Sequence, residues 1–148
     1  MEFFADRNVG TQIFNTILRQ AGLTIHAHQD YFPQSADDVD WLPEVAKRGW
    51  PIIGPDLKIA KKPLEVAAVM NSGAALFCLS GGSMSAIAQA ENFLRCLPNI
   101  RLVLERTERP FIARVYKPNR DDLSDTKTTR VKVKLTLEQW EARNRFGI

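Results

Sequence analysis

Apolar and polar positions along this chain fall into two alternating rhythms. The run Glu2-Phe3-Phe4-Ala5 is short and aromatic-rich, which predicts a buried strand over residues 2–5. From Thr11 to Ala21 the apolar positions Ile13, Ile17, Leu18 and Ala21 take helical spacing, and Gly22 suits the C-terminal cap. Leu23, Ile25 and Ala27 then alternate with Thr24, His26 and His28, a strand pattern that turns the histidines to one face. A loop from Asp30 to Gln34 leads to an acid-rich helix start, Ser35 to Asp40. Trp41, Leu42, Val45 and Ala46 make its stripe, and Gly49 ends it. Ser35 with Asp38 resembles a capping box, while Pro43 argues for a start nearer Asp40 or for a kink.

Trp50 to Ile53 is the next strand, closed by Gly54-Pro55-Asp56. Pro63 opens a helix with Leu64, Ala67, Ala68 and Val69 inward and Gly73 as cap. Ala74 to Leu79 is continuously apolar, as in a central parallel strand. Gly81-Gly82 turns the chain, and Ser83 caps a longer helix with Ile87, Ala90, Glu91 and Leu94 as its stripe. After Pro98 the expected elements are a strand at Arg101–Glu105, a strand at Phe111–Tyr116 and a polar loop at Pro118–Thr129. Val131, Val133, Leu135 and Leu137 then alternate with Arg130, Lys132, Lys134 and Thr136, a strand with one apolar and one basic face. A last helix, Leu137–Arg145, follows a Thr136/Gln139 capping box. The succession strand, helix, strand predicts an α/β protein with a parallel sheet. Residues 1–117 read as the domain and 118–148 as its appendage.

Composition narrows the class. At 148 residues the chain can bury one real core, and 45% apolar with 25% charged residues excludes a disordered or fibrous chain. No apolar run approaches the ~20 residues of a membrane span, and Glu2 and Asp6 deny the start the basic region of a signal peptide. Cys78 and Cys96 stand in apolar settings without metal-ligand spacing. They read as small core residues in a reducing compartment, so the expected location is the cytoplasm. Charge is uneven: residues 1–100 hold 8 Lys/Arg against 10 Asp/Glu, and residues 101–148 hold 12 against 7. An acidic part joined to a basic part suits a metal site beside a polyanion-binding surface, or a solvated basic tail.

The acids give the candidate chemistry. Asp6 and Asp56 each follow an apolar strand, and in a parallel sheet both would emerge on one edge. The cluster Asp37, Asp38 and Asp40 could supply a third carboxylate. Such groups repel one another unless a cation is present, and a hard ion such as Mg²⁺ or Mn²⁺ fits oxygen donors best. No Cys or His set suits zinc. A site of this kind supports metal-assisted phosphodiester hydrolysis. Each acid also has a plainer reading: Asp6 as a turn or N-cap residue, the cluster as helix-start acids, Asp56 as part of a Gly-Pro-Asp turn. His26 and His28 could pair on a metal or simply form a polar face, and Asp30 could reach the acid cluster.

Three segments together resemble a PIN-like domain, of the branch related to VapC-type toxins. They are Phe3-Phe4-Ala5-Asp6-Arg7-Asn8, Asp38-Val39-Asp40-Trp41-Leu42-Pro43-Glu44-Val45, and Gly49-Trp50-Pro51-Ile52-Ile53-Gly54-Pro55-Asp56-Leu57-Lys58-Ile59. Arg109-Pro110-Phe111-Ile112-Ala113-Arg114-Val115 is similar to the segment that follows in that branch, so the likeness spans about residues 2–117. The resemblance implies a three-layer α/β/α fold with a central parallel sheet, to which the C-terminal strand and helix are an extension. It implies a Mg²⁺-dependent ribonuclease with Asp6, Asp38 and Asp56 as metal acids and Asp40 as a further ligand or base. Gly54 stands where the family often has Thr, and Lys58 stands near where many members add a fourth acid.

The leading expectation is therefore a single-strand-preferring ribonuclease, the toxin of a toxin–antitoxin pair. RNA is its substrate, an antitoxin its partner, and a homodimer a common state of such domains. Arg7, Asn8, Lys58, Arg109 and Arg114 are the expected substrate contacts. The alternatives are a catalytically inactive PIN-like module that binds RNA or protein, and a phosphatase-like or nucleotide-binding α/β domain. No Gly-rich phosphate loop or nucleophile motif supports the last.

Overall fold

The computed structural model describes residues 1–118 and 130–146; the expected polar loop at Pro118–Thr129 lies, after its first residue, outside them. Six strands form one sheet: β1 (Glu2–Ala5), β2 (Thr24–Ala27), β3 (Ile52–Pro55), β4 (Ala75–Leu79), β5 (Phe111–Val115) and β6 (Val131–Leu135). Their order is β2-β1-β3-β4-β5-β6. The first five run parallel, and β6 closes against β5 antiparallel. Among the described residues five α-helices cover the faces: α1 (Gln12–Gln20), α2 (Asp38–Lys47), α3 (Pro63–Ser72), α4 (Ala86–Arg106) and α5 (Leu137–Phe146). None of the described helices is long and apolar enough to cross a membrane.

The strand pleat divides the core in two. Phe3, Ile53 and Phe77 point to one face, where Phe14 and Leu18 of α1 and Phe93, Cys96 and Ile100 of α4 meet them. Phe4, Ile52 and Leu76 point to the other, against Trp41 and Val45 of α2 and Val66, Val69 and Met70 of α3. This is the expected α/β/α sandwich. Phe3 and Phe93 meet edge to face with centroids 5.3 Å apart, and truncating such a fully buried ring to Ala costs about 3–5 kcal/mol. Cys78 and Cys96 are free and buried, and burial pushes their thiols up to about 12 and about 11.

Several expectations shift in phase. In α1 the buried positions are Phe14, Asn15 and Leu18, while Ile13 is exposed. In α3 Leu64 stands in solvent and Val66, Val69 and Met70 face the sheet. Ser85, not Ser83, caps α4, and Ile87 and Glu91 are exposed. The strand expected at Arg101–Glu105 is helix, because α4 runs through Pro98. That proline is exposed, and Phe93, Cys96 and Ile100 keep one buried stripe across it, so packing outweighs the lost backbone bond. Asp37 replaces Ser35 as the cap of α2 and makes no side-chain cap bond.

The order β2-β1-β3-β4-β5 reverses direction between β1 and β3. A doubly wound sheet opens its crevice at that point, outside the carboxyl ends of the strands. The Asp6 N–H donates to the Ile53 carbonyl at 2.9 Å, so the tips of β1 and β3 stay joined beyond the last paired residues.

Candidate active site

Asp6 lies one residue past the end of β1, on a tight turn. The amides of Val9 and Gly10 donate to its carbonyl at 3.1 and 2.7 Å, and the Asn8 N–H donates to its Oδ1 at 3.2 Å. Gly10 makes this turn possible. A Cβ there would come within 2.8 Å of the Ala5 Cβ and 3.0 Å of the Asp6 carbonyl, so a larger residue would push the aspartate out of place.

The next residue brings up the second acid. Arg7 Nη1 donates to the carbonyls of Gln34 at 2.7 Å and Ala36 at 3.2 Å, tying the loop ahead of α2 to the tip of β1. Asp38 then begins α2, and its Oδ1 accepts from the buried indole of Trp41 at 3.0 Å. Asp56 follows β3 directly.

A cavity of about 170 Å³ collects these groups. Asp6, Asn8, Asp38, Asp56, Lys62 and Glu65 are its polar lining, over a floor that includes Trp41, Ile52 and Leu76. The three acids singled out as metal acids therefore share one crevice. Gly54 lies on its wall, where an added Cβ would stand 3.1 Å from Leu76 Cδ1; a threonine would crowd that leucine and narrow the opening.

The electrostatics follow from burial. The Asp6 carboxyl sits above its ordinary value, first because burial penalises the charge and further because Asp38 is near; the Asn8 N–H, Arg7 and His28 oppose the rise. His28 is held below its ordinary value by burial and by Arg7, against the pull of Asp6 and Asp38. It is not the exposed partner of His26 that strand alternation implies. The chain leaves β2 at Ala27, and a short 3₁₀ turn swings His28 among Phe4, Phe32 and Trp41. His26 instead stacks on Trp50 with centroids 3.6 Å apart and bonds Tyr31 and Glu2.

Asp40 is exposed on α2 and does not line the crevice, and neither does Asp30. The structure does not bring Arg109 there either. It precedes β5 and donates to the Gly49 carbonyl at 3.0 Å, ahead of β3, which is the opposite edge of a parallel sheet. Arg7 is spent on backbone carbonyls. Arg114 pairs with Asp56, Nε to Oδ1 3.3 Å, without completing a hydrogen bond. Lys58 opens onto a neighbouring groove.

The sequence reading missed two lining residues. Glu65 and Lys62 stand at the start of α3, 3.6 Å apart. An acid in the first turn after Pro63 was the available signal.

The donor set suits a hard divalent ion in kind, since it is all carboxylate and its most buried member is destabilised as an anion by burial and a like charge. Among the described residues no group of three or more Asp, Glu, His or Cys side chains converges on one point. The close pair is Asp6 with Asp38, while Asp56 turns toward Arg114.

Residues 1–81, more than half the chain, match a PIN-like domain family. The chain belongs to the PIN-like domain family. The matched part of this PIN-like protein runs from β1 past β4 and so carries Asp6, Asp38, Asp56 and Glu65. A relative in Mycobacterium tuberculosis (strain ATCC 25618 / H37Rv), named "Putative ribonuclease VapC45", is 28% identical over 117 residues, covering 76% of this PIN-like chain and 84% of its own. No solved structure matches significantly.

Proposed function

We propose that this PIN-like protein is a metal-dependent ribonuclease, the toxin of a toxin–antitoxin pair, with single-stranded RNA as substrate and an antitoxin protein as partner. The observation that carries the reading is that Asp6, Asp38 and Asp56 line one crevice between the tips of β1 and β3, with Asp38 close enough to act on the Asp6 charge. The similarity to a relative named as a ribonuclease supports the substrate class. Asp6 and Asp38, with Asp56 and Glu65 across the cavity, are the residues that would hold Mg²⁺ or Mn²⁺. The bound ion supplies Lewis-acid activation of a water and neutralises charge on the phosphodiester.

The protein's own groups do the positioning. The turn at Asn8 fixes Asp6, the indole of Trp41 fixes Asp38, and Arg7 holds the two segments together. Lys62 is a cation at the cavity wall, suited to a phosphate oxygen. The test is cleavage of a single-stranded RNA with Mg²⁺, with and without EDTA, by the wild type and Asp6→Asn. Equal activity in the two proteins would overturn the carboxylate mechanism.

A second reading, a binding module without catalysis, draws on the Asp56–Arg114 ion pair and on Lys58 beyond it. Its mark would be the absence of any Mg²⁺ or Mn²⁺ binding at millimolar concentration.

A further inference from the structure

Beside the carboxylate crevice lies a second cavity of about 410 Å³, and its polar lining is wholly cationic: Lys58, Lys61, Arg114, Lys134 and Arg143. Four elements converge to make it. Lys58 and Lys61 come from the segment between β3 and α3, Arg114 from β5, Lys134 from β6 and Arg143 from α5. Lys58, Lys61, Lys134 and Arg143 make no ion pair with any acid among the described residues. Five cations with Asp56 as their one paired acid among the described residues repel one another and raise the energy of the compact state, so their placement calls for an anionic occupant.

The cations are held by the core. Leu135 at the end of β6 is fully buried, and Trp140 of α5 packs against the core face that also holds Trp41. A reciprocal capping box fixes the start of α5: the Gln139 N–H donates to Thr136 Oγ1 at 3.1 Å, and the Thr136 N–H donates to Gln139 Oε1 at 3.0 Å. Tyr116 adds an aromatic face beside the groove. Arg130 stands 4.2 Å and Arg114 5.8 Å from its ring centroid.

Arg114 links the two cavities through Asp56. Its guanidinium lines the basic groove, and its Nε faces Asp56 on the wall of the crevice. We propose that β6 and α5 complete a phosphate-binding track that holds the RNA strand flanking the cut and feeds it past Arg114 into the carboxylate crevice. This rests on the ribonuclease reading of the crevice. An occupant that is anionic along its whole length, and whose linkage is itself the reacting group, uses both cavities. An acidic peptide would use only the basic one.

The experiment is fluorescence anisotropy of a labelled, unstructured RNA oligonucleotide with the full chain in EDTA, titrated over a range of salt. Wild type is expected to bind. Lys134→Gln/Arg143→Gln should weaken binding about tenfold at low salt and flatten the log K against log salt slope by about 1.4, at ~0.7 per lost phosphate contact. Lys58→Gln/Lys61→Gln, at two exposed side chains outside helix and strand, should do the same, which separates loss of contact from loss of fold. Arg101→Gln/Arg106→Gln on α4 should leave the slope unchanged. No RNA binding by wild type, an unchanged slope in both groove variants, an equal loss in the α4 variant, or equally strong competition by polyglutamate would overturn the track. Cleavage with Mg²⁺ is scored separately. Binding through the groove without cleavage upholds the track and sinks the nuclease, and cleavage with groove variants that bind normally does the reverse.

Discussion

The indole N–H of Trp41 reaches the carboxylate of Asp38, Nε1 to Oδ1 3.0 Å, across one turn of α2. One end of this contact lies in the core, since Trp41 is 2% exposed, and the other opens on the crevice. A ring that packs on Phe4 with centroids 5.2 Å apart thereby sets the direction of a candidate metal ligand. Trp41→Phe keeps aromatic bulk and removes the donor. A hydrogen bond to a charged group is worth about 1.5–3 kcal/mol, so RNA cleavage should fall roughly tenfold or more while the far-ultraviolet circular dichroism stays native.

Asp6 opposes the stability of the metal-free protein. Its carboxyl is raised above the ordinary value of 3.8, chiefly by burial, so the fold prefers it protonated. The stabilisation it contributes is full below pH 3.8 and is lost as pH rises through the raised value. At pH 7 the charged form is a cost. Asp6→Asn should therefore raise the melting midpoint of metal-free protein by a few degrees while abolishing cleavage. Mg²⁺ should raise the midpoint of wild type by mass action and leave the variant unmoved, as read by differential scanning calorimetry.

Glu65 and Asp40 separate geometry from sequence proximity. Glu65 lines the crevice from α3; Asp40 sits two residues from Asp38 yet faces solvent. Glu65→Gln should weaken Mg²⁺ binding about tenfold, within the range seen for groups that support a metal site, and Asp40→Asn should leave it unchanged, as measured by isothermal titration calorimetry.

Leu135 tests whether the C-terminal strand shares the main core. It is fully buried in the cluster that holds Phe4, Trp41 and Ile112. Leu135→Ala should cost about 2–5 kcal/mol and lower the urea midpoint of a single transition followed by tryptophan fluorescence. Two separate transitions would show that β6 and α5 fold apart from the rest.

The parallel sheet and the acids at its strand tips were legible because both rest on local signals. An apolar run ending in Asp marks Asp6 and Asp56, and the helix start marks Asp38. Glu65 escaped because Leu64 was assigned to the buried face. Hydrophobicity alone cannot say that a leucine after Pro63 will stand 86% exposed while Val66 goes inward, since that phase is set by where α3 lies on the sheet. The helical reading of residues 101–105 escaped for the opposite reason: Pro98 is a strong local signal that a continuous buried stripe overrode. His28 was misplaced by one residue of strand, which suffices to turn a surface histidine into a core one.

The antiparallel strand β6 has a consequence for solubility. Without it, Phe111–Val115, buried at four of five positions, would become the rim of the sheet with its backbone donors and acceptors open to another chain. β6 covers that rim and presents Lys132 to solvent in its own place, a charge that discourages further strand addition. The segment that carries Lys134 thus also guards against self-association, and shortening the chain before Val131 would leave β5 as an open edge prone to strand addition.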